Sequence, residues 1–268
     1  MDHQTFNKFR EIVYANSGIA LNDTKEAMVS ARISKRMRAL GFTTHLQYLK
    51  HLLKDESDHE ITHFLDVIST NVTSFFREPS HFDFLSSIVA KWIAKGKHRI
   101  RIWSAAASTG EEPYSIAMTL LDTCGQRNLD MRILATDIST SALAKAQAGV
   151  YSSMVVEGVP ASYKKRFFVH EKSQADVFYR AQDQLKQMIV FRRLNLSNPP
   201  FPMTGQLDMV FCRNVMIYFD NSVRSRLVSE IYRLLKPSGY LLTGHAEGLT
   251  SIQTELKCLE PSIYQKQC

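Results

Sequence analysis

The chain has 268 residues, of which 44% are hydrophobic and 22% charged, enough to bury a sizeable core as one large domain or as a small domain joined to a larger one. Its formal net charge of +7 suggests an acidic partner without choosing among nucleic acid, anionic lipid and an acidic protein surface. The four cysteines, Cys124, Cys212, Cys258 and Cys268, form no C-x-x-C pair or zinc-type spacing, no apolar run approaches the ~20 residues of a membrane span, and the polar start is not a signal peptide, so a reduced, cytoplasmic protein with no metal centre is expected.

Residues 1–70 read as helices alone. Phe6, Phe9, Ile12 and Val13 give the three-and-four spacing of an amphipathic helix that Gly18 closes. A second helix is predicted from Asp23 or Thr24 to Leu40, with Gly41 as its stop. Leu46, Tyr48, Leu49 and Leu52 mark a third, and His59 to Ile68 a fourth. The second helix places Arg32, Lys35 and Arg36 on one face, with Arg38 to the side. Such a run is either a solvated helix face or a docking surface for an acidic helix.

From Arg99 onward strands and helices alternate. Strands are predicted at Arg99 to Ser104, Met131 to Asp137, Leu207 to Arg213 and Tyr240 to Gly244, and helices at Pro113 to Cys124, Ser141 to Gly149 and Ser222 to Leu235, with Pro237 and Gly239 ending the last. This is the pattern of a doubly wound α/β sheet, whose ligand lies at the carboxyl ends of the strands. Between about 163 and 193 the runs R-F-F-V, V-F-Y-R and M-I-V-F-R-R are short and β-rich, and suggest a small antiparallel subdomain inserted into a second domain of residues 71–268.

The most informative run is Ser104 to Pro113, where a strand breaks into small residues, passes Gly110 and restarts as a helix. Such a loop lets backbone approach a ligand, but the spaced glycines of a dinucleotide fingerprint and the lysine of a phosphate loop are missing. Glu111 and Glu112 stand there instead. They would repel a phosphate and hold a cationic amine, which points to S-adenosylmethionine. Asp137 closes the next strand 25 residues after Glu112, where it either holds a ribose or caps a helix. In N-V-T-S-F-F-R at 71–77, Asn71, Thr73 and Arg77 are polar, and composition alone fits a linker with a buried aromatic pair. F-C-R-N-V-M-I-Y-F-D at 211–220 delivers Arg213, Asn214 and Tyr218 to the catalytic edge.

Together with Asn195-Leu196, L-L-K-P-S-G-Y-L and G-H-A-E, these runs resemble the chemotaxis receptor methyltransferases, the CheR family, across essentially the whole chain. The resemblance implies a Rossmann-like, S-adenosylmethionine-dependent methyltransferase sheet behind a helical receptor-docking domain. It implies that Asn71, Thr73 and Arg77 line the cofactor pocket, that Glu112 holds the methionine amino group and Asp137 the ribose, and that Asn195, Leu196, Arg213 and Asn214 surround the adenine and the remaining atoms. Glu111 becomes a helix-capping neighbour, while Arg77 and Tyr218 sit closest to the transferable methyl.

The family's reaction methylates glutamate carboxylates on the cytoplasmic helical bundle of chemoreceptors, leaving S-adenosylhomocysteine. A glutamate with a pKa of about 4.3 is already ionised at neutral pH, so no general base is required. The resemblance makes Arg32, Lys35, Arg36 and Arg38 the docking residues on a monomer. A nucleic-acid methyltransferase would show a catalytic cysteine or an N/D-P-P-Y-type motif where R-N-V-M-I-Y-F stands, so nucleic acid is not expected as a partner. Some family members tether a receptor-tail pentapeptide through a glycine-rich turn in the β-subdomain; the turn at 170–176 has no glycine, so no such tether is expected.

Overall fold

The computed structural model describes residues 1–55, 57, 59–172 and 177–267. Four helices form where the apolar stripes predict them: α1 (His3–Ser17), α2 (Glu26–Leu40, after a 3-10 turn at Asp23–Lys25), α3 (His45–Leu53) and α4 (His59–Ile68). Their ends follow from local chemistry. Asp2 accepts from the Thr5 N–H to cap α1, Thr44 and Gln47 form a reciprocal capping box at α3, and Gly18 and Gly41 close α1 and α2 with φ of 70° and 78°. Phe6, Phe9, Val29, Ile33, Tyr48 and Phe64 are fully or almost fully buried and form the core of this unit.

α5 (Ser80–Ala94) follows, then the chain alternates: β1 (Arg99–Ser104), α6 (Glu111–Cys124), β2 (Asp130–Asp137) and α7 (Thr140–Ala148). After β3 (Val150–Ser152), α8 (Ala161–Phe167), β4 (Phe168–Lys172), β5 (Val177–Ala181) and α9 (Asp183–Lys186) come β6 (Ile189–Arg193), β7 (Leu207–Cys212), α10 (Asn221–Leu234), β8 (Leu235–Thr243), β9 (Leu256–Glu260) and β10 (Ile263–Lys266). The main sheet runs β6-β2-β1-β7-β8-β10-β9, parallel through β8 and antiparallel in its last pairings, with Ile102 in register with Ile133 on one side and Met209 on the other. From β1 the sheet grows one way through β2 and the other through β7, so the switch point lies between β1 and β7.

Two expectations are corrected. The run M-I-V-F-R-R supplies β6, which pairs in parallel with β2 in the main sheet; the third strand of the small antiparallel sheet is β3, giving the order β3-β5-β4. Ile189 and Phe191 are buried while Val190, Arg192 and Arg193 are exposed, and this alternation marks a half-buried edge strand without saying which sheet it joins. The turn expected at 170–176 falls mostly on residues 173–176, outside the described residues. The last helix ends at Leu234, before Pro237 and Gly239, which lie within β8 where its register against β7 shifts.

The helical unit lies across the carboxyl edge of the sheet. Ala20 N–H donates to the Tyr218 carbonyl at 2.8 Å, Ile19 forms an antiparallel bridge with Phe219, and Asn195 Nδ2 donates to the Asn16 carbonyl at 2.8 Å. Asp66 accepts from the Thr140 hydroxyl at 2.9 Å, at the start of α7. Among the described residues, no helix is long and apolar enough to cross a membrane.

Candidate active site

The loop after β1 threads between two strand ends, the Ala105 N–H donating to the Phe211 carbonyl and the Ala107 N–H to the Thr136 carbonyl. Small side chains permit that closeness. Gly110 has φ of 101°, and a Cβ there would lie 2.7 Å from Tyr151 Oη and 2.9 Å from Ala146 Cβ, so only glycine fits. α6 then opens with both carboxylates in its first turn, favourably placed at the positive end of the helix dipole.

The two glutamates part there. Glu111 is buried and accepts from Thr109 Oγ1 at 2.7 Å, and it does not line the cavity beyond. Glu112 does. Ser104 Oγ donates to its Oε1 at 2.7 Å, and Arg213 Nη1 stands 3.6 Å from its Oε2. Burial pushes the Glu112 carboxyl above its usual pKa; Arg213 and Ser104 oppose the rise, while Glu78 and Glu247 add to it.

At the end of β2, Asp137 accepts from the Ser108 N–H at 2.8 Å and the Ser139 N–H at 2.9 Å, and burial raises its pKa against those bonds. The cap of α7 is Ser139, whose hydroxyl accepts from the Ala142 N–H. Asp137 is therefore not the helix cap. Beyond β7 the buried Arg213 donates through Nη2 to the Arg77 carbonyl, and that nitrogen lies 3.3 Å from Glu78 Oε2. Asn214, in the left-handed region at φ 57°, donates from Nδ2 to Glu78 Oε1 at 3.2 Å. Burial acts to raise the Glu78 carboxyl, but the Arg213 charge and the Asn214 amide hold it below its usual value. Arg77 itself donates to the Val72 carbonyl at 3.1 Å, closing the 72–77 loop.

These groups enclose a cavity of about 320 Å³, within the range of small-molecule sites. Asn71, Thr73, Arg77 and Glu112 line it from the first half of the chain, and Asp137, Arg213, Asn214 and Tyr218 from the second. Asn195 and Leu196 line a smaller adjoining hollow that shares Asp137 and Tyr218 with the main cavity. Sequence reasoning missed Glu78, directly after Arg77, and Glu247, inside the G-H-A-E run. It also missed the wall that the helical unit contributes through Ile19, Ala20, Leu21, Lys25 and Met28. No local pattern announces that wall, because it depends on how the two units meet.

The basic helix divides. Arg32 lines the cavity and donates to the Ile68 and Ser69 carbonyls and to Thr70 Oγ1. Arg36 makes a two-pronged pair with Glu60, Nε to Oε1 at 3.0 Å and Nη2 to Oε2 at 2.6 Å, while the Tyr48 hydroxyl donates to the same carboxylate at 2.7 Å. Lys35 and Arg38 are exposed. The four residues expected to dock the receptor are thus two half-buried braces, Arg32 and Arg36, and two surface charges, Lys35 and Arg38.

Glu78, His81 and His245 each bring a potential ligand atom within 4.8 Å of the others. The positive charge beside that carboxylate is already supplied by Arg213, and His81 Nε2 lies 2.7 Å from Ser262 Oγ.

Residues 4–69 match the family model described as CheR methyltransferase, all-alpha domain, and residues 71–264 match CheR methyltransferase, SAM binding domain. The chain belongs to the CheR methyltransferase family. Relatives within the CheR family include chemotaxis protein methyltransferase 2 of Pseudomonas aeruginosa, 37% identical over 262 residues, 97% of this chain and 92% of the relative. The chemotaxis protein methyltransferase of Borreliella burgdorferi is 38% identical over 96% of this chain and 92% of its own length, and that of Escherichia coli 36% over 97% and 89%.

The CheR-family chain is an S-adenosylmethionine-dependent methyltransferase, and its cavity suits that cofactor. The buried Arg213 Nη1 and Nε have no hydrogen-bond partner among the described residues, and Glu112 lies beside them. An anion acceptor and a cation acceptor side by side match the carboxylate and ammonium of an amino-acid group.

Proposed function

We propose that the chain methylates glutamate side chains on the cytoplasmic helical bundle of chemoreceptors, giving glutamate methyl esters and S-adenosylhomocysteine. The observation that carries this reading is the whole-chain match, helical unit and sheet in the same order, to relatives named chemotaxis protein methyltransferases. The bound cofactor supplies an electrophilic methyl on a sulfonium. Glu112 and Arg213, which line the cavity, would hold the ammonium and carboxylate of its methionine end, and Asp137 would hold the ribose. Asn71, Thr73 and Asn214 line the same cavity, while Asn195 and Leu196 line the adjoining hollow that would take the adenine.

Arg77 and Tyr218, which line the cavity, would flank the reacting methyl. The incoming carboxylate is ionised at neutral pH, so the chain has no proton to remove and contributes orientation, worth at best roughly 7–11 kcal/mol. Charge is neutralised as carboxylate meets sulfonium, so a cation gripping the nucleophile would favour the ground state over the transition state. Arg77 therefore positions groups rather than activating them. Lys35 and Arg38 are the exposed charges that meet the acidic receptor helices. The protein works in the cytoplasm without nucleic acid.

Incubation with tritiated S-adenosylmethionine and candidate receptor fragments tests the assignment. Label that alkali releases as methanol, and that maps to glutamate-containing helical peptides, is the expected result. Alkali-stable label, or label in nucleic acid, would refute it.

A further inference from the structure

The segment from Arg213 to Tyr218 carries four of the residues that line the cavity, Arg213, Asn214, Val215 and Tyr218, yet it is neither helix nor strand apart from one 3-10 turn at Met216–Tyr218. Something must hold it. Glu247, 1% exposed, sits on a turn just beyond β8 and points its carboxylate at this segment. Its Oε2 accepts from the Asn214 N–H at 2.6 Å and the Gly244 N–H at 2.8 Å, and its Oε1 accepts from the Ile217 N–H at 3.1 Å.

We infer that Glu247 is the positioning residue of the active site: one buried carboxylate reads three main-chain amides and so fixes Arg213 and Asn214 at one end of the segment and Tyr218 at the other. Two observations support a dedicated fit. A Cβ on Gly244 would lie 2.6 Å from both Asn214 Nδ2 and Glu247 Oε2, so the backbone there is kept bare to let the carboxylate approach. Asn214 holds a positive φ of 57°, a conformation that its bond to Glu247 and its side-chain bond to Glu78 secure together. Glu247 is not itself part of the cavity lining. It acts only through the residues it holds.

The two oxygens have different clients, which makes the role separable from mere stability. In Glu247→Gln the single remaining oxygen stays with the amides of Asn214 and Gly244, and the new NH2 faces the Ile217 N–H, donor against donor. The cofactor end of the segment should then hold while the Tyr218 end loosens. Glu247→Ala should release both.

The inference rests on the methyl-transfer reading, and the experiment separates the two. Amide hydrogen exchange over residues 213–218, titration with S-adenosylhomocysteine and receptor methylation kinetics are measured on the full chain. For Glu247→Gln, exchange protection should fall at Ile217 and persist at Asn214, affinity for S-adenosylhomocysteine should stay within about twofold, and kcat should fall about tenfold or more, the worth of one lost bond to a charged acceptor. For Glu247→Ala both amides should lose protection, with affinity and kcat falling together. Unchanged protection at Ile217 in Glu247→Gln, or a kcat loss matched by an equal affinity loss in that variant, would overturn the assignment. A wild-type chain that methylates no receptor would sink the receptor reading, and the exchange pattern would still decide the role of Glu247.

Discussion

Replacing His81 by asparagine should change how stability depends on pH as well as its level. The imidazole is 1% exposed, its Nδ1 lies 3.4 Å from Glu78 and its Nε2 2.7 Å from Ser262 Oγ. Burial, reinforced by the Arg213 charge and only partly opposed by Glu78, lowers it from 6.5 to about 4. Below pH 6.5 the unfolded chain takes up a proton that the folded chain refuses until about pH 4. Stability from this group is therefore complete above pH 6.5 and is lost as pH falls through that window, at about 1.4 kcal/mol per pH unit, about 3 kcal/mol in all.

His81→Asn removes this dependence and adds a roughly constant loss of about 1–3 kcal/mol for the broken Ser262 contact. The remaining titrating groups are common to both chains. Urea unfolding followed by tryptophan fluorescence should thus show the gap between wild type and variant shrinking by about 2 kcal/mol between pH 7.5 and pH 5, with the urea dependence unchanged. A gap that stays constant over that range would refute the argument.

Glu112→Gln should raise the melting temperature of the unliganded chain, because the raised pKa means that ionising this buried carboxyl costs the fold stability as pH rises through it. The same change should weaken S-adenosylhomocysteine binding by about tenfold or more in calorimetry, and wild-type affinity should rise with pH as Glu112 ionises. Gly110→Ala should destabilise by about 1–3 kcal/mol in thermal melts through its strained φ and the collision with Tyr151. Lys35→Glu with Arg38→Glu should leave the melting temperature unchanged while raising the KM for receptor and flattening its salt dependence. Arg36→Glu should instead unfold the helical unit, since it sets two carboxylates together in a largely buried site, at about 3–5 kcal/mol.

Much of the site is legible in the sequence because strand ends announce it. Glu112, Asp137, Arg213 and Asn214 each stand where a predicted strand stops or the next helix starts, and all four face one cavity. Local caps are equally readable, as Gly18 and Gly41 show. What could not be read depends on distance along the chain. Arg32 and Arg36 share the spacing of surface charges, and only partners 24 or more residues away turn them inward. β6 has the alternation of any half-buried strand, and only pairing assigns it to β2. α5 is a different matter: Phe82, Leu85, Ile88 and Val89 form a helical stripe that was there to be read.

The join between the helical unit and the Tyr218 segment is made main chain to main chain, through Ala20 N–H to the Tyr218 carbonyl and the Ile19–Phe219 bridge. A backbone clasp of this kind is blind to side-chain identity. The solvent-facing surface of the helical unit can therefore vary while the clasp persists, and a helical unit grafted from a relative that keeps the Asp66 and Tyr14 bonds to the sheet domain should still close the same cavity. Severing the chain near residue 70 would not separate a recognition module from an enzyme; it would remove one wall of the enzyme.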